Sequence, residues 1–267
     1  MILTNKEIHI SFSQHHRIDA QEFLEIKRLK NISFNRDLVD VVVDLDIEDE
    51  LNLEDIINKL TSLVINIIKQ KYLKEYVEKK FSSSYRKESE IIYTYSLAVF
   101  ERTENLIRDT IMKKLYTHLY NEDSINIDGF LTFRLKETAM YLSSIADTAL
   151  EEYLLDRDQK EFINVLKYFI DMQEAKIDLL VVHILQNGSF VMYDGEGNKI
   201  DNIDDEEIIN MVLKENLNYE DFLISTLLSL CPKKIQIMDS LNNNSSKLVI
   251  ETIKSIFEDR ISSIFTN

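Results

Sequence analysis

Asp194, Glu196 and Asn198 stand at alternate positions in the segment DGEGNK, the spacing with which a calcium-binding loop opens. Such a loop rings the cation with side-chain oxygens and needs glycine at its sixth position and glutamate at its twelfth. Here Lys199 takes the sixth place and Asp205 the twelfth, so the segment reads as a tight turn. His9, His15 and His16 have the imidazoles that bind zinc, but no Cys or carboxylate stands at a ligand-like spacing to close a site. His15-His16 reads as an exposed turn, while His118 and His183 are isolated and His183 falls within a strand pattern. Cys231 has no histidine near it in sequence to activate its thiol, and its place before Pro232 suits burial as a small apolar residue. Glycine-rich phosphate loops, nucleophile elbows and HExxH helices are absent. No catalytic residue, cofactor or metal is assigned, and the balance favours a protein that is not an enzyme.

A different kind of site is suggested by Phe130 to Lys136, FLTFRLK. On one helix with about 3.6 residues per turn, Phe130, Phe133 and Arg134 cannot all face a single core. One aromatic therefore turns toward a neighbour, with Arg134 and Lys136 close to the same junction. Two readings stand for Phe133, Arg134 and Lys136: an ordinary domain junction with cations lying along apolar surface, or a partner-binding surface.

The elements that position these residues follow from composition and period. The 267 residues include only four Gly and one Pro, which favours long uninterrupted helices over a turn-rich β fold. Residues 1–50 read as a small α/β region: a strand over Glu7 to Phe12, a short helix capped by Asp19 that carries Phe23, Leu24, Ile26 and Leu29, and a strand over Leu38 to Leu45. Residues 51–173 read as a bundle of amphipathic helices. The first carries Leu53, Ile56, Leu60 and Val64, and the second, Glu88 to Leu119, turns Ile92, Tyr95, Val99, Leu106, Ile111 and Leu115 inward. Asn121 to Asn126 reads as a loop. A third helix starts at Asp128 as its cap, and a fourth, Arg157 to Met172, is expected to bury Phe162, Val165, Leu166, Phe169 and Ile170. Residues 174–267 return to α/β, with a hairpin at Asn187-Gly188, helices over Asp205 to Glu215 and Tyr219 to Leu230, a strand over Lys234 to Met238, a helix over Ser245 to Phe257 and a last strand over Arg260 to Phe265. The fold class is α+β: a central bundle of long amphipathic helices flanked by small N-terminal and C-terminal α/β regions.

Charge and cysteine usage bound the surroundings. A net charge of −16 argues against a generic nucleic-acid binder, which needs a basic footprint. The charge is nonetheless uneven, with a lysine-rich stretch from Lys59 to Lys87 and an acidic run at Asp204 to Glu207. The two read as solvated faces that complement each other within the fold or between copies. One cysteine, no basic stretch leading an apolar core at the N-terminus and no apolar run of about 20 residues together predict a cytoplasmic protein without a membrane span.

Three word-like segments carry a family resemblance: INIDGFLTFRLKE, then EFINVLKYFIDMQEAKID with the QNGSFVMYDGEGNKID hairpin, then NYEDFLISTLLSLCP. Across roughly residues 120 to 260 the chain resembles the YtxC family of sporulation proteins from spore-forming Firmicutes. The resemblance brings no catalytic residues with it. It implies a sporulation-associated protein that acts through protein–protein contacts. The alternative is a nucleic-acid-associated or nucleotide-dependent protein with a site between the two α/β regions, using the Lys59 to Lys87 face.

Overall fold

The structure is a computed structural model and describes residues 5–17, 20–24, 29–46, 50–134, 138–187, 189–200 and 219–266. The fold is α+β, and the chain divides into two compact units, Met1–Leu155 and Asp156–Asn267. Each unit holds its own four-stranded sheet, so the N-terminal and C-terminal strands do not share one.

In the first unit, β1 (Asn5–Ser13), β2 (Leu29–Phe34), β3 (Leu38–Asp46) and β4 (Ser124–Asn126) lie in the order β2-β3-β1-β4. The two-residue side-chain period puts Ile8, Ile10 and Phe12 of β1 on one face, opposite Val43, Val41 and Val39 of antiparallel β3. All six are buried, and a fully buried side chain of this kind stabilises by about 1.5–3 kcal/mol. Two strands differ from expectation. Leu29 opens β2 instead of ending a helix, and helix α1 is only Gln21–Leu24. The segment read as a loop contains β4, which pairs parallel to β1 through His9, Ile10 and Ser11. Three residues with one buried side chain, Ile125, are too short to show a period.

Helices cover that face. α2 (Glu50–Ile67) runs through a π-helical segment, Ile68–Leu73, into α3 (Lys74–Lys80), and α4 (Ser89–Asn121) packs beside it. Ile92, Val99, Ile111 and Leu115 point inward as expected, but Leu106 is 71% exposed and Ile107 takes the buried position. The reason is angular: successive helical residues are about 100° apart, so only one of the two can face the core.

α5 (Ile127–Arg134) begins one residue before the expected cap. Asn126 does the capping, its Oδ1 accepting from the Gly129 N–H at 2.8 Å. Asp128 is thereby free for a longer reach: its Oδ2 accepts from the Ser13 N–H at 2.7 Å, and its Oδ1 lies 3.1 Å from His16 Nε2. His16 is 2% exposed, which corrects the expectation of an exposed His15-His16 turn; His15 alone is exposed. One carboxylate thus ties the end of β1 to the start of α5 across 115 residues of chain.

α6 (Thr138–Met172) is one helix, so the expected third and fourth helices are continuous across Arg157. Expected burial in its last turns is corrected as well. Ile170 is buried and Leu166 half-buried, but Phe162, Val165 and Phe169 are 62%, 63% and 51% exposed. Asp19, Leu135 and the expected helix at Asp205 to Glu215 lie outside the described residues.

The second unit contains β5 (Ile177–Ile184), β6 (Phe190–Asp194), α7 (Tyr219–Leu230), β7 (Pro232–Asp239), α8 (Asn244–Phe257) and β8 (Ile261–Thr266). The order β6-β5-β7-β8 joins an antiparallel hairpin, β5 with β6, to a parallel set, β5, β7 and β8. Leu180, Val182, Ile235 and Ile237 form the buried sheet face against Leu223, Leu227, Ile250 and Ile253 of the helices. At the hairpin, Asn187 Oδ1 accepts from the Ser189 N–H and hydroxyl. In the second turn Asp194 Oδ1 accepts from the N–H groups of Glu196 and Asn198, and Gly197 sits at φ 85°. The Asn198 side-chain amide donates to Asp194 Oδ2 at 3.0 Å, and this bond, followed by the backbone ones, lowers the Asp194 pKa, so the carboxylate is committed to its own turn.

Asp239 ends β7 almost fully buried. Its Oδ1 accepts from the Leu241 and Asn242 N–H groups at 3.0 Å, and its Oδ2 accepts from the Ser246 hydroxyl at 2.8 Å. Ser246 in turn belongs to a capping box with Asn243 at the start of α8. Arg260 secures the other end of α6, donating to the Ile170 carbonyl at 3.1 Å and the Pro232 carbonyl at 3.0 Å.

Two neighbouring surfaces of α4 should separate cleanly in denaturant. Ile111→Ala should cost about 2–5 kcal/mol by urea unfolding, whereas Leu106→Ala should stay within about 0.5 kcal/mol of wild type. Equal losses at the two positions would show that α4 is rotated from the orientation described.

Candidate functional site

The π-helical segment decides the polar chemistry of the first unit. One extra residue per turn breaks the regular hydrogen-bond ladder and re-phases the helix that follows. The Lys69 carbonyl, within that segment, accepts from the Tyr93 hydroxyl of α4 at 3.1 Å. The Lys69 side chain reaches Glu104 at 2.7 Å and lies 5.2 Å from the Phe100 ring centroid. Glu104 also accepts from Arg108, one turn on, at 2.8 Å. Beside them Thr103 Oγ1 and the Tyr141 hydroxyl are 3.0 Å apart, joining α4 to α6.

The cluster is half-buried and internally satisfied. Burial works to raise the Glu104 pKa, but hydrogen bonds and charge from Lys69 and Arg108 outweigh it and hold the group below the ordinary glutamate range. Burial raises Tyr141, and the Glu104 carboxylate adds to the rise, so the phenol stays protonated at neutral pH. A carboxylate locked between two cations and a neutral phenol suit positioning of helices rather than proton transfer.

Beside this cluster opens a groove of about 410 Å³, lined by Ile68, Tyr72 and Tyr76 on one side and by Leu131, Ala139 and Leu142 on the other. Glu75, Lys79, Thr132 and Thr138 supply polar atoms at its rim. Phe130 and Leu131 of α5 are buried, while Phe133 is 74% exposed. Arg134 belongs to α5; its side chain, and the whole of Lys136, lie outside the described residues. A second groove of about 810 Å³, in the other unit, includes Lys160, Lys167 and Lys254; Lys160 pairs with Asp156 and Lys167 with Glu258.

Four of the eight cations from Lys59 to Lys87 are paired with carboxylates within the fold. Lys59 pairs with Asp55, Lys74 with Glu90 and Lys80 with Asp147, in addition to Lys69 with Glu104. The acidic run at Asp204 to Glu207 lies outside the described residues. Among the described residues no group of three or more His, Cys, Asp and Glu is placed to hold a metal ion, and no helix is long and apolar enough to cross a membrane. Cys231 is buried at φ 44°, with its Sγ 3.7 Å from the Ile170 carbonyl and 3.3 Å from Arg260. His118 bonds to the Ser124 carbonyl at 3.0 Å, and His183 meets the Tyr193 ring edge-on.

The YtxC-like family matches residues 54–262, which takes in most of α2, the π-helical segment, both grooves and β5, β6 and β7 of the second sheet. The chain belongs to the YtxC-like family. The "Uncharacterized protein YtxC" of Bacillus subtilis (strain 168) is 25% identical over 166 residues, 61% of this chain and 56% of that protein. The match thus spans little more than half the length of that relative. No solved structure matches. The family range leaves β1, β2 and β3 outside it, although these strands form the sheet against which the family's own β4 is laid.

Sequence inspection missed the Lys69–Glu104–Arg108 network. The Glu104 to Arg108 spacing was a visible signal, since residues four apart share a helix face. Lys69 gave none, because its approach to Glu104 depends on the π-helical segment and on packing between helices.

A lowered native pKa stabilises the fold above the unfolded value and is lost as pH falls through the native one. Glu104→Gln should therefore destabilise by about 1–3 kcal/mol at neutral pH. The gap between variant and wild type should narrow below about pH 4.3, where the unfolded glutamate is protonated. Urea midpoints across pH measure this, and a gap of constant size down to pH 3 would remove the ion network as its source.

Proposed function

We propose that this protein acts in sporulation, in the cytoplasm, as a non-enzymatic protein whose first unit binds a protein partner through the surface at the end of α5. The observation that carries the reading is Phe133, a large aromatic side chain 74% exposed on a helix whose neighbours Phe130 and Leu131 are buried. Next to it, residues of α5 and α6 line an apolar groove with a polar rim, the composition of a small contact site. Arg134 and Lys136 follow in sequence and supply the cations that favour an acidic partner surface. The sporulation role rests on what the resemblance of the word-like segments implies.

The test is the count of heat-resistant spores after clean deletion in the protein's own host, complemented with wild type, Phe133→Asp or Arg134→Glu. The expected result is a drop that wild type restores and the two variants do not, although both variants retain wild-type helicity and melting temperature when purified. Full restoration by both variants would remove the α5 surface from the function. An unchanged count in the deletion strain would remove the sporulation role itself.

A further inference from the structure

The last turns of α6 carry two apolar faces, and the second unit covers only one. Ile163, Leu166 and Ile170 pack on the core of that unit. At about 100° per residue, Phe162, Val165, Phe169 and Met172 fall on a different side of the helix, roughly 120° away. These four are 62%, 63%, 51% and 71% exposed, and Tyr168 at their edge is 68% exposed.

We propose that this second face is the interface of a homodimer, in which two copies of the chain pack it antiparallel about a two-fold axis. Two observations point to a second copy. First, the steps from Phe162 to Val165, Phe169 and Met172 are three, four and three, the spacing of a helix–helix seam. A two-fold axis level with the midpoint of the stripe sets Phe162 opposite Met172 and Val165 opposite Phe169. Every member then meets a member of the same set, which is the self-complementarity an isologous contact needs. Exposed Asp158 separates the stripe from Leu155, which is also exposed on this side of the helix, and the helix terminus at Met172 ends it on the other side.

Second, the area suits a dimer. Taking about 200 Å² for each large side chain fully exposed, the five residues present roughly 600 Å² of mostly apolar surface. That stands at the upper end of the ~300–600 Å² of the largest apolar patch on a typical monomer and approaches the ~800 Å² that each partner gives to a standard interface. The proposal is independent of the Phe133 surface, which belongs to the other unit.

Sedimentation equilibrium of the full chain over a wide concentration range is the test. Wild type should approach twice the chain mass of 31.4 kDa, and Phe162→Glu with Phe169→Glu should stay at the single-chain mass with unchanged circular dichroism. Should those charges disturb folding, Phe162→Cys with Met172→Cys gives a second readout. Under mild oxidation the antiparallel pairing predicts a disulfide-linked dimer joining Cys at 162 of one copy to Cys at 172 of the other, located by peptide mapping. A wild-type chain that is monomeric at every concentration overturns the proposal, whether its stripe is then bare or covered from within the same chain. A dimer that survives the double glutamate substitution, or a cross-link joining like positions only, overturns it equally.

Discussion

A sheet with one apolar face must be covered, and that requirement organises both units. Ile8, Ile10 and Phe12 stand opposite Val43, Val41 and Val39, forming a continuous apolar surface in the first unit. Leu180, Val182, Ile235 and Ile237 do the same in the second. Water is excluded from neither surface unless amphipathic helices lie over it, and burial of these side chains is the largest favourable contribution to the fold. The placement of the helices follows from that need.

Polar ties then select one arrangement among those the apolar surfaces permit. Asp128 joins the end of β1 to α5, Asp239 joins β7 to the start of α8, and Arg260 ties the Ile170 carbonyl near the end of α6 to the Pro232 carbonyl at the start of β7. Each bond is directional where apolar packing is not, so each fixes a register or a helix end. The network of Lys69, Glu104 and Arg108 belongs with them. Its cost of burial is offset by mutual charge and hydrogen bonding, which makes it a positional device at the π-helical segment rather than a reactive centre.

In a chain of net charge −16 the lysine-rich stretch finds carboxylates close by, and Lys59, Lys69, Lys74 and Lys80 are each paired with one. Paired cations present little field to a distant polyanion, which is why a basic-looking stretch need not be a binding face. The described surface also presents apolar groups: Phe133 on α5, and the stripe from Phe162 to Met172 on α6. Large exposed apolar patches mark protein, membrane or ligand contacts in general.

The sequence by itself determined the α+β class, the positions of β1 and β3, the hairpin that joins β5 to β6, and the helical spans of α4 and α7, because period and turn chemistry are local properties. Family membership was legible too, in word-like segments rather than in any reactive constellation. Tertiary structure alone decided the rest. Whether Leu106 or Ile107 faces inward, and whether Phe162 and Phe169 are covered, depends on which side of a helix another element occupies. β4 exists only because β1 offers it an edge, since three residues cannot hold a strand by propensity. The partnership of Lys69 with Glu104 and the burial of His16 against Asp128 join residues far apart in the chain, and no local pattern encodes a meeting that only packing brings about.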